Sequence, residues 1–376
     1  MRARYLLLIS VFAVAALGAA DSEDPSRFKI QLPSWVPSDV WAYFVPRENP
    51  MTAEKVELGR RLFFDKRLSV DGSVSCATCH DPQLAFTDGK TVSVGVMGKR
   101  GVRNAPTLLD TVFDTSQFRD GRADTLESQA IMPLTEAAEM GNASQRQVVL
   151  RLRGISEYSQ AFGRVFGAPP TIESLAKSIA AFERTLVSGT SRFDQFLAGQ
   201  TTALGDQEQR GLAMFRGRAR CSVCHSLNSS LPLFTDHIYR NTGTSSADPA
   251  FDMLARRASG IIRRELPAGA FAELAREKSA PALGRFLVTR NSLDIGAFKT
   301  PSLRNVELTA PYFHDGSAAT LKDVVQFYVR VSHSNVRRDW DLQPIQLTPA
   351  DQDDMIAFLK SLTSNELRRT TAVSSP

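Results

Sequence analysis

Apolar residues first appear as one nearly continuous run. Behind Arg2 and Arg4, Tyr5 to Leu17 is largely apolar and is closed by the small residues Gly18-Ala19-Ala20. That layout predicts a cleaved secretory signal peptide over residues 1–20 and a periplasmic mature protein. The run is short of the ~20 apolar residues a membrane span needs, so no span is expected in the mature protein. Residues 21–50 carry Pro33, Trp35, Pro37, Trp41 and Pro46 and predict an N-terminal strap lying on a domain surface. From Thr52 the spacing turns helical: Thr52 caps, Glu54 follows in the first turn, and Val56, Leu58 and Leu62 give an apolar face. A helix with Ala181-Phe182 and Leu186 is echoed by one with Ala357-Phe358 and Leu362. Thr320 with Asp323 starts a helix carrying Val324, Val325, Phe327 and Tyr328, and Thr348-Pro349 with Asp351 starts another. Strand-like alternation is scarce, so the fold class is mostly α. Residues 364–376 are polar and predict a flexible tail.

The pattern also repeats. Residues 105–133 match residues 300–328 without a gap, with identities at Pro106/Pro301, Leu108/Leu303, Phe118/Phe313, Asp120/Asp315, Gly121/Gly316, Ala123/Ala318, Thr125/Thr320 and Leu126/Leu321. Phe86-Thr87-Asp88 recurs as Phe234-Thr235-Asp236. Two tandem units are expected, over 51–195 and 196–363. The second carries an insertion at about 240–295, expected to be a solvated surface element or, less readily, a docking surface for a partner.

Composition adds an exclusion and then the chemistry. The formal charge of +5 includes Arg2 and Arg4, and no basic run is interleaved with aromatics, so nucleic-acid binding is not supported. The chain has four cysteines and five histidines. Cys76-Ala77-Thr78-Cys79-His80 and Cys221-Ser222-Val223-Cys224-His225 use every cysteine. C-x-x-C-H attaches a c-type haem: two thiols bond the haem edge and the adjacent histidine ligates iron. A zinc site of four cysteines would have no use for a histidine at the same place in both copies. The units are therefore expected to be cytochrome c-like monohaem domains, each holding one covalent haem c.

His80 and His225 supply one axial ligand each, and function depends on the opposite faces. The repeat puts Tyr328 in register with Pro133, and places Gln129 on the first unit's equivalent helix. Phenolate can bind ferric iron and proline cannot, although Tyr328 could equally be a core aromatic. An open ferric haem that cleaves peroxide needs a positioned acid–base group. Glu136 and Glu139 are both available, and either could instead be a solvated charge at a helix end.

Leu62-Phe63-Phe64-Asp65, both C-x-x-C-H motifs, Arg103-Asn104-Ala105-Pro106, Asp120-Gly121-Arg122-Ala123, Glu139-Met140-Gly141, Phe298-Lys299-Thr300-Pro301 and Pro311-Tyr312-Phe313-His314-Asp315-Gly316 resemble, in order, bacterial dihaem cytochrome c peroxidases. The resemblance implies that His80 is the proximal ligand of a peroxidatic haem and His225 that of an electron-transfer haem. It implies that Glu139 is the distal acid–base group, with Gln129 and Pro133 beside it. It also implies that Asn104, Thr309 and Pro311 bind a calcium ion between the haems, the latter two through their carbonyls. Val96 stands where typical members carry a histidine that closes the peroxidatic iron, and Tyr328 where they carry an axial methionine. Both changes resemble the MauG branch of the family, whose MauG oxidase matures a tryptophan-derived quinone. Yet Arg119 occupies the interhaem tryptophan position, and Ala219 that of the surface tryptophan used for long-range oxidation.

The resulting expectation is a periplasmic dihaem peroxidase that reduces hydrogen peroxide at the His80 haem. A His225/Tyr328 haem shares the oxidising equivalents. A small redox protein (cytochrome c or cupredoxin), or another protein substrate, is the partner. A MauG-like protein-modifying oxidase and a non-enzymatic dihaem electron carrier are the alternatives. Should Tyr328 not ligate, His333 is the next candidate.

Overall fold

The computed structural model describes residue 28 and residues 30–227, 230–267, 269–330 and 338–368. The signal peptide and His333 lie outside them. The chain is mostly helical. Strand pairing among the described residues is confined to isolated bridges and one antiparallel pair, Tyr239–Arg240 with Phe298–Lys299.

Two helical trios form the frame. In the first, α1 (Ala53–Phe64) and α2 (Leu126–Thr135) both pack on α3 (Ile172–Glu183). In the second, α4 (Asp206–Arg216) and α6 (Leu321–Arg330) both pack on α7 (Pro349–Ser361). The expected caps are present. Thr52 accepts from the Lys55 N–H, Thr125 from Ser128, Thr320 from Asp323 and Thr348 from Asp351, each satisfying a donor the first turn leaves free.

The trios share their tightest contact. A Cβ on Gly59 of α1 would lie 1.9 Å from the Ser178 carbonyl oxygen and 3.0 Å from Phe182. A Cβ on Gly211 of α4 would lie 2.1 Å from the Asp354 carbonyl oxygen and 2.7 Å from Phe358. Only glycine lets helices approach that closely. Phe63 and Phe182 fill the core beside the first contact, and Phe193, Phe215, Phe234 and Phe358 the core beside the second.

The matched segments also share conformation. Asp110 and Asn305, Phe118 and Phe313, and Gly121 and Gly316 all have positive φ. Bridges join Gln117 to Ala123 and Tyr312 to Ala318. Both glycine turns are buried by distant chain: a Cβ on Gly121 would strike the Tyr239 hydroxyl, and one on Gly316 the Thr91 backbone.

Residues of the 21–50 segment pack on the helical frame. Trp35, Trp41 and Phe44 surround Phe113 edge-on, and the Trp35 indole donates to the Ser188 carbonyl at 3.0 Å. Arg304, buried, lies 3.9 Å from the Trp35 ring centroid and donates two hydrogen bonds to Asp194. Segment 188–191 is also held from the other end of the chain. Ser364 bridges Ser191, and the Asn365 N–H donates to the Thr190 carbonyl at 3.0 Å. The tail expected from residue 364 is packed as far as Arg368: the Ser364 N–H donates to Asn305 Oδ1 at 2.9 Å, the Asn365 N–H to the Thr190 carbonyl, and the Arg368 N–H to the Ser364 carbonyl at 3.2 Å.

The insertion departs from the expected solvated element. Around α5 (Phe251–Ile262), Phe251, Leu254, Leu274, Leu283 and Phe286 make a core of their own. Arg285 then reaches across to donate to the Asp120 and Gly121 carbonyls at 2.9 and 2.6 Å. The sequence shows the two Arg-Arg pairs of this segment, but not the apolar face opposite them.

Candidate functional site

The two C-x-x-C-H motifs fold into matching cradles. In each, the histidine N–H donates to the carbonyl of the first cysteine, His80 to Cys76 and His225 to Cys221, both at 2.9 Å. His80 Nδ1 lies 3.1 Å from the Phe86 carbonyl oxygen, and His225 Nδ1 lies 2.9 Å from that of Phe234. Phe86 and Phe234 both hold positive φ, which turns these carbonyls back toward the rings. A carbonyl acceptor fixes the proton on Nδ1 and leaves Nε2 as a bare ligand. Burial lowers the pKa of both imidazoles, keeping them neutral, the form that binds a metal.

The four thiols are free and half-buried. Burial raises the pKa of each, to about 12 for Cys221 and about 11 for Cys224. No group of three or more His, Cys, Asp or Glu side chains that could hold a metal ion occurs among the described residues. Free paired thiols beside a neutral histidine of fixed tautomer fit covalent haem c.

The surroundings of the two cradles diverge. Cys76 packs into the cluster that contains Val96, Ala130 and Leu134. Val96 is fully buried, and its N–H donates to the Glu139 carbonyl at 2.9 Å. Its neighbour Met97, at φ 55°, points to solvent and is 70% exposed. Gly95 and Gly141 permit this contact: a Cβ on Gly95 would lie 2.2 Å from the Ala138 carbonyl oxygen, and one on Gly141 2.7 Å from Val96. Pro133 lies in the last turn of α2 and Gln129 one turn earlier, half-buried. The Pro133 carbonyl accepts from the Glu136 and Met140 N–H groups at 3.3 and 3.2 Å, so the end of α2 sets the turn that bears Glu139.

Of the two candidate glutamates, Glu136 is exposed and Glu139 half-buried. Burial raises the Glu139 pKa against the opposing charge of Arg122. A raised carboxyl pKa favours the protonated form, which a group that gives and takes a proton in acid–base catalysis must be able to adopt.

At the second cradle, Cys221 and Tyr328 pack against the same cluster as Val325. Tyr328 is half-buried on α6, and its ring meets Phe313 and Phe327 edge to face. Burial, reinforced by Cys221 and Cys224, raises the pKa of its phenol well above the usual range.

A sequence model described as di-haem cytochrome c peroxidase matches residues 53–202. Cytochrome-c peroxidase IdrP1 of a Pseudomonas species is 35% identical over 368 residues, covering 96% of this chain and 92% of that protein. Methylamine utilization protein MauG of Methylorubrum extorquens is also 35% identical, over 93% of this chain and 88% of that protein. The crystal structure of a MauG-like protein associated with microbial copper homeostasis superposes with a TM-score of 0.72 at 34% identity, covering 90% and 97% of the two chains. The chain belongs to the dihaem cytochrome c peroxidase family. It is thus a peroxidase-like oxidoreductase of a family that carries two haem c groups. No helix among the described residues is long and apolar enough to cross a membrane.

Membership of the peroxidase family does not bring calcium with it, because the donor set does not fit that ion. Asn104 is buried, and its amide N–H donates to the His314 carbonyl at 2.9 Å, three positions on from Pro311. Its side-chain NH2 donates to the Lys90 carbonyl at 2.9 Å. Both of its oxygens are taken by one guanidinium: Arg119 Nε donates to the Asn104 carbonyl at 3.1 Å and Nη2 donates to Oδ1. Thr309 and Pro311 would add only neutral carbonyls. A divalent ion ~4 Å from a guanidinium is repelled by about 8 kcal/mol at an effective dielectric of 20, with no carboxylate in the set to offset it. At the calcium position expected on Asn104, Thr309 and Pro311, the Asn104 oxygens therefore already accept from Arg119.

Sequence reasoning also missed Glu183. It is buried at the end of α3, where burial raises its carboxyl pKa to about 8 and its charge reaches the Cys76 thiol. The available signal was one carboxylate inside the apolar face Ile179-Ala180-Ala181-Phe182.

Proposed function

We propose that the protein is a periplasmic dihaem c-type peroxidase that reduces hydrogen peroxide at an open, His80-ligated haem, while a His225/Tyr328-ligated haem shares the oxidising equivalents. One observation carries this reading: the buried residues of the 93–101 loop are Gly95 and Val96, neither of which has a ligating side-chain atom, whereas Met97 faces solvent. The open first face is set against the half-buried Tyr328 on the second. When bound, haem supplies the redox chemistry that breaks the O–O bond.

The chain's own residues do the rest. His80 and His225 are held in one tautomer by the Phe86 and Phe234 carbonyls, which orients each ring and raises its basicity. Glu139 carries a proton between the two peroxide oxygens, and Gln129 and Pro133 wall that space. Tyr328 would hold the second haem iron through its phenolic oxygen, and a bound cation would offset the preference for the protonated phenol that burial imposes. Anionic oxygen ligation favours the ferric state, so the second site suits storage of oxidising equivalents. Electrons come from a small redox protein, a cytochrome c or a cupredoxin. Calcium has no part in this reading.

The same reading takes the chain as two copies of a monohaem unit, at 51–195 and 196–363. In support, α2 and α6 each span ten residues at an offset of 195 positions, with threonine caps and positive-φ residues in register. The Gly59 and Gly211 contacts repeat the packing of each trio.

A protein-modifying oxidase of the MauG kind is the second reading. It is favoured by identity to MauG equal to that to a peroxidase, at 35% each, and opposed by Arg119 and Ala219 at the two tryptophan positions. Mixing fully oxidised holoprotein with peroxide in a stopped-flow spectrometer tests the main reading. A high-spin ferric component that reacts promptly is expected, and a purely low-spin spectrum that stays inert until reduction refutes it.

A further inference from the structure

We infer that the Arg119 guanidinium is a built-in cation that takes the place of a calcium ion at the joint between residues 90–120 and 298–315, so that this joint is assembled without metal. A bound calcium ion gathers neutral oxygens from separate segments around a positive charge. Arg119 does the same with a rigid fork of donors. Its Nε and Nη2 converge on the carbonyl and Oδ1 of Asn104. Asn104 in turn donates to the His314 carbonyl from the far segment and to the Lys90 carbonyl from the near one. The Arg119 carbonyl accepts from the Lys299 N–H at 2.8 Å, which ties the same residue to the far segment a second time.

The local charges are matched to one buried cation. Asp120 is occupied by Arg103 at 2.6 Å and Arg122 at 3.0 Å. Asp315 is the carboxylate whose charge favours the cationic form of Arg119. Burial, with Arg103 adding to it, lowers the Arg119 pKa to about 10, which leaves the group cationic at neutral pH. A second, divalent cation would meet Arg103 and Arg119 together.

The test uses the purified holoprotein with both haems attached, and reads calcium content and unfolding temperature, neither of which depends on peroxide turnover. A failure of the peroxidase reading therefore leaves this inference standing, and the reverse holds too. Wild-type protein exchanged through calcium chloride and then calcium-free buffer should retain no calcium, and its unfolding temperature should be the same in EGTA and in calcium chloride. Arg119→Gln removes the charge and frees Asn104. It should unfold at lower temperature in EGTA, bind one calcium per chain, and recover stability as calcium is raised, as ligand linkage requires. Arg119→Lys keeps a cation there and should stay insensitive to calcium. Stoichiometric calcium in the wild type, or a fall in its unfolding temperature on chelation, overturns the inference, and that arm needs no variant to fold. An Arg119→Gln protein that takes up no calcium, or an Arg119→Lys protein that does, overturns it as well.

Discussion

The helices beside the two haem cradles, α2 and α6, are of the same length and begin on the same threonine cap, yet they present opposite chemistry. Toward its C-terminal end α2 offers Pro133, which can only wall a space, and α6 offers Tyr328, which can ligate. The loop packed against the first cradle adds an aliphatic Val96 and a carboxyl of raised pKa at Glu139. The central helices differ too: where α3 carries Phe182-Glu183, α7 carries Phe358-Leu359. On the proposed reading, matched helices serve an open, proton-handling site and a closed, apolar one. The distinction rests on a few side chains while the backbone stays matched.

Breaking the comparison at its chemically active point should have the largest effect. Glu139→Gln keeps both haems and should slow peroxide cleavage about 10²–10⁴-fold, the usual worth of a positioned acid–base group. Peroxide should still bind, as seen in rapid-mixing spectra; a wild-type rate would hand the proton to Glu136. Tyr328→Phe breaks it from the other side. Both haems stay attached, and the second should rise in potential by on the order of 0.1 V, within the ~0.8 V that axial ligands command. It should also acquire an exchangeable coordination position. Redox titration with ferric spectra decides, and unchanged curves make Tyr328 a core aromatic.

Val96→His sharpens the comparison by closing the open site. Ferric protein should become low-spin and slow to bind cyanide, at a cost of about 1–3 kcal/mol for overfilling a fully buried position. The smallest effect on turnover should come from Glu183→Gln, and its signature is a pH dependence. The Glu183 pKa is raised from 4.5 to about 8, so the unfolded chain releases that proton first. Wild-type stability should therefore fall as pH rises from about 4.5 through about 8 and be level outside that window. The variant lacks this fall. Denaturant unfolding should show it more stable than wild type at pH 8, with the gain shrinking at pH 5.

Local signals carried far in this sequence because they act within one turn of chain. The caps at Thr52, Thr125, Thr320 and Thr348 are each written in four consecutive positions, and C-x-x-C-H holds its chemistry in five. The 105–133 and 300–328 match conveyed backbone conformation as well, down to positive φ at Phe118 and Phe313. Contacts between polar groups far apart in sequence were not legible. Nothing near Arg119 announces Asn104 as its acceptor, and nothing near Arg285 announces the Asp120 and Gly121 carbonyls, because such pairs are set by the packing of whole elements. The calcium expectation left Arg119 out of account for this reason. It carried over three donors residue by residue, and the group that competes for one of them lies fifteen positions away.

Segment 188–191 is grasped from both ends of the chain, by Trp35 on one side and by Ser364-Asn365 on the other. The first grip is in hand as soon as Ser188 is made; the second must wait for the last described stretch. At ~5–20 residues per second, roughly 10–35 s of synthesis separate Ser191 from Ser364. Throughout that interval the Thr190 carbonyl lacks the Asn365 N–H that it accepts from in the folded chain. A chain cut short at Thr363 would keep every haem-attachment cysteine and histidine and still never close this clasp.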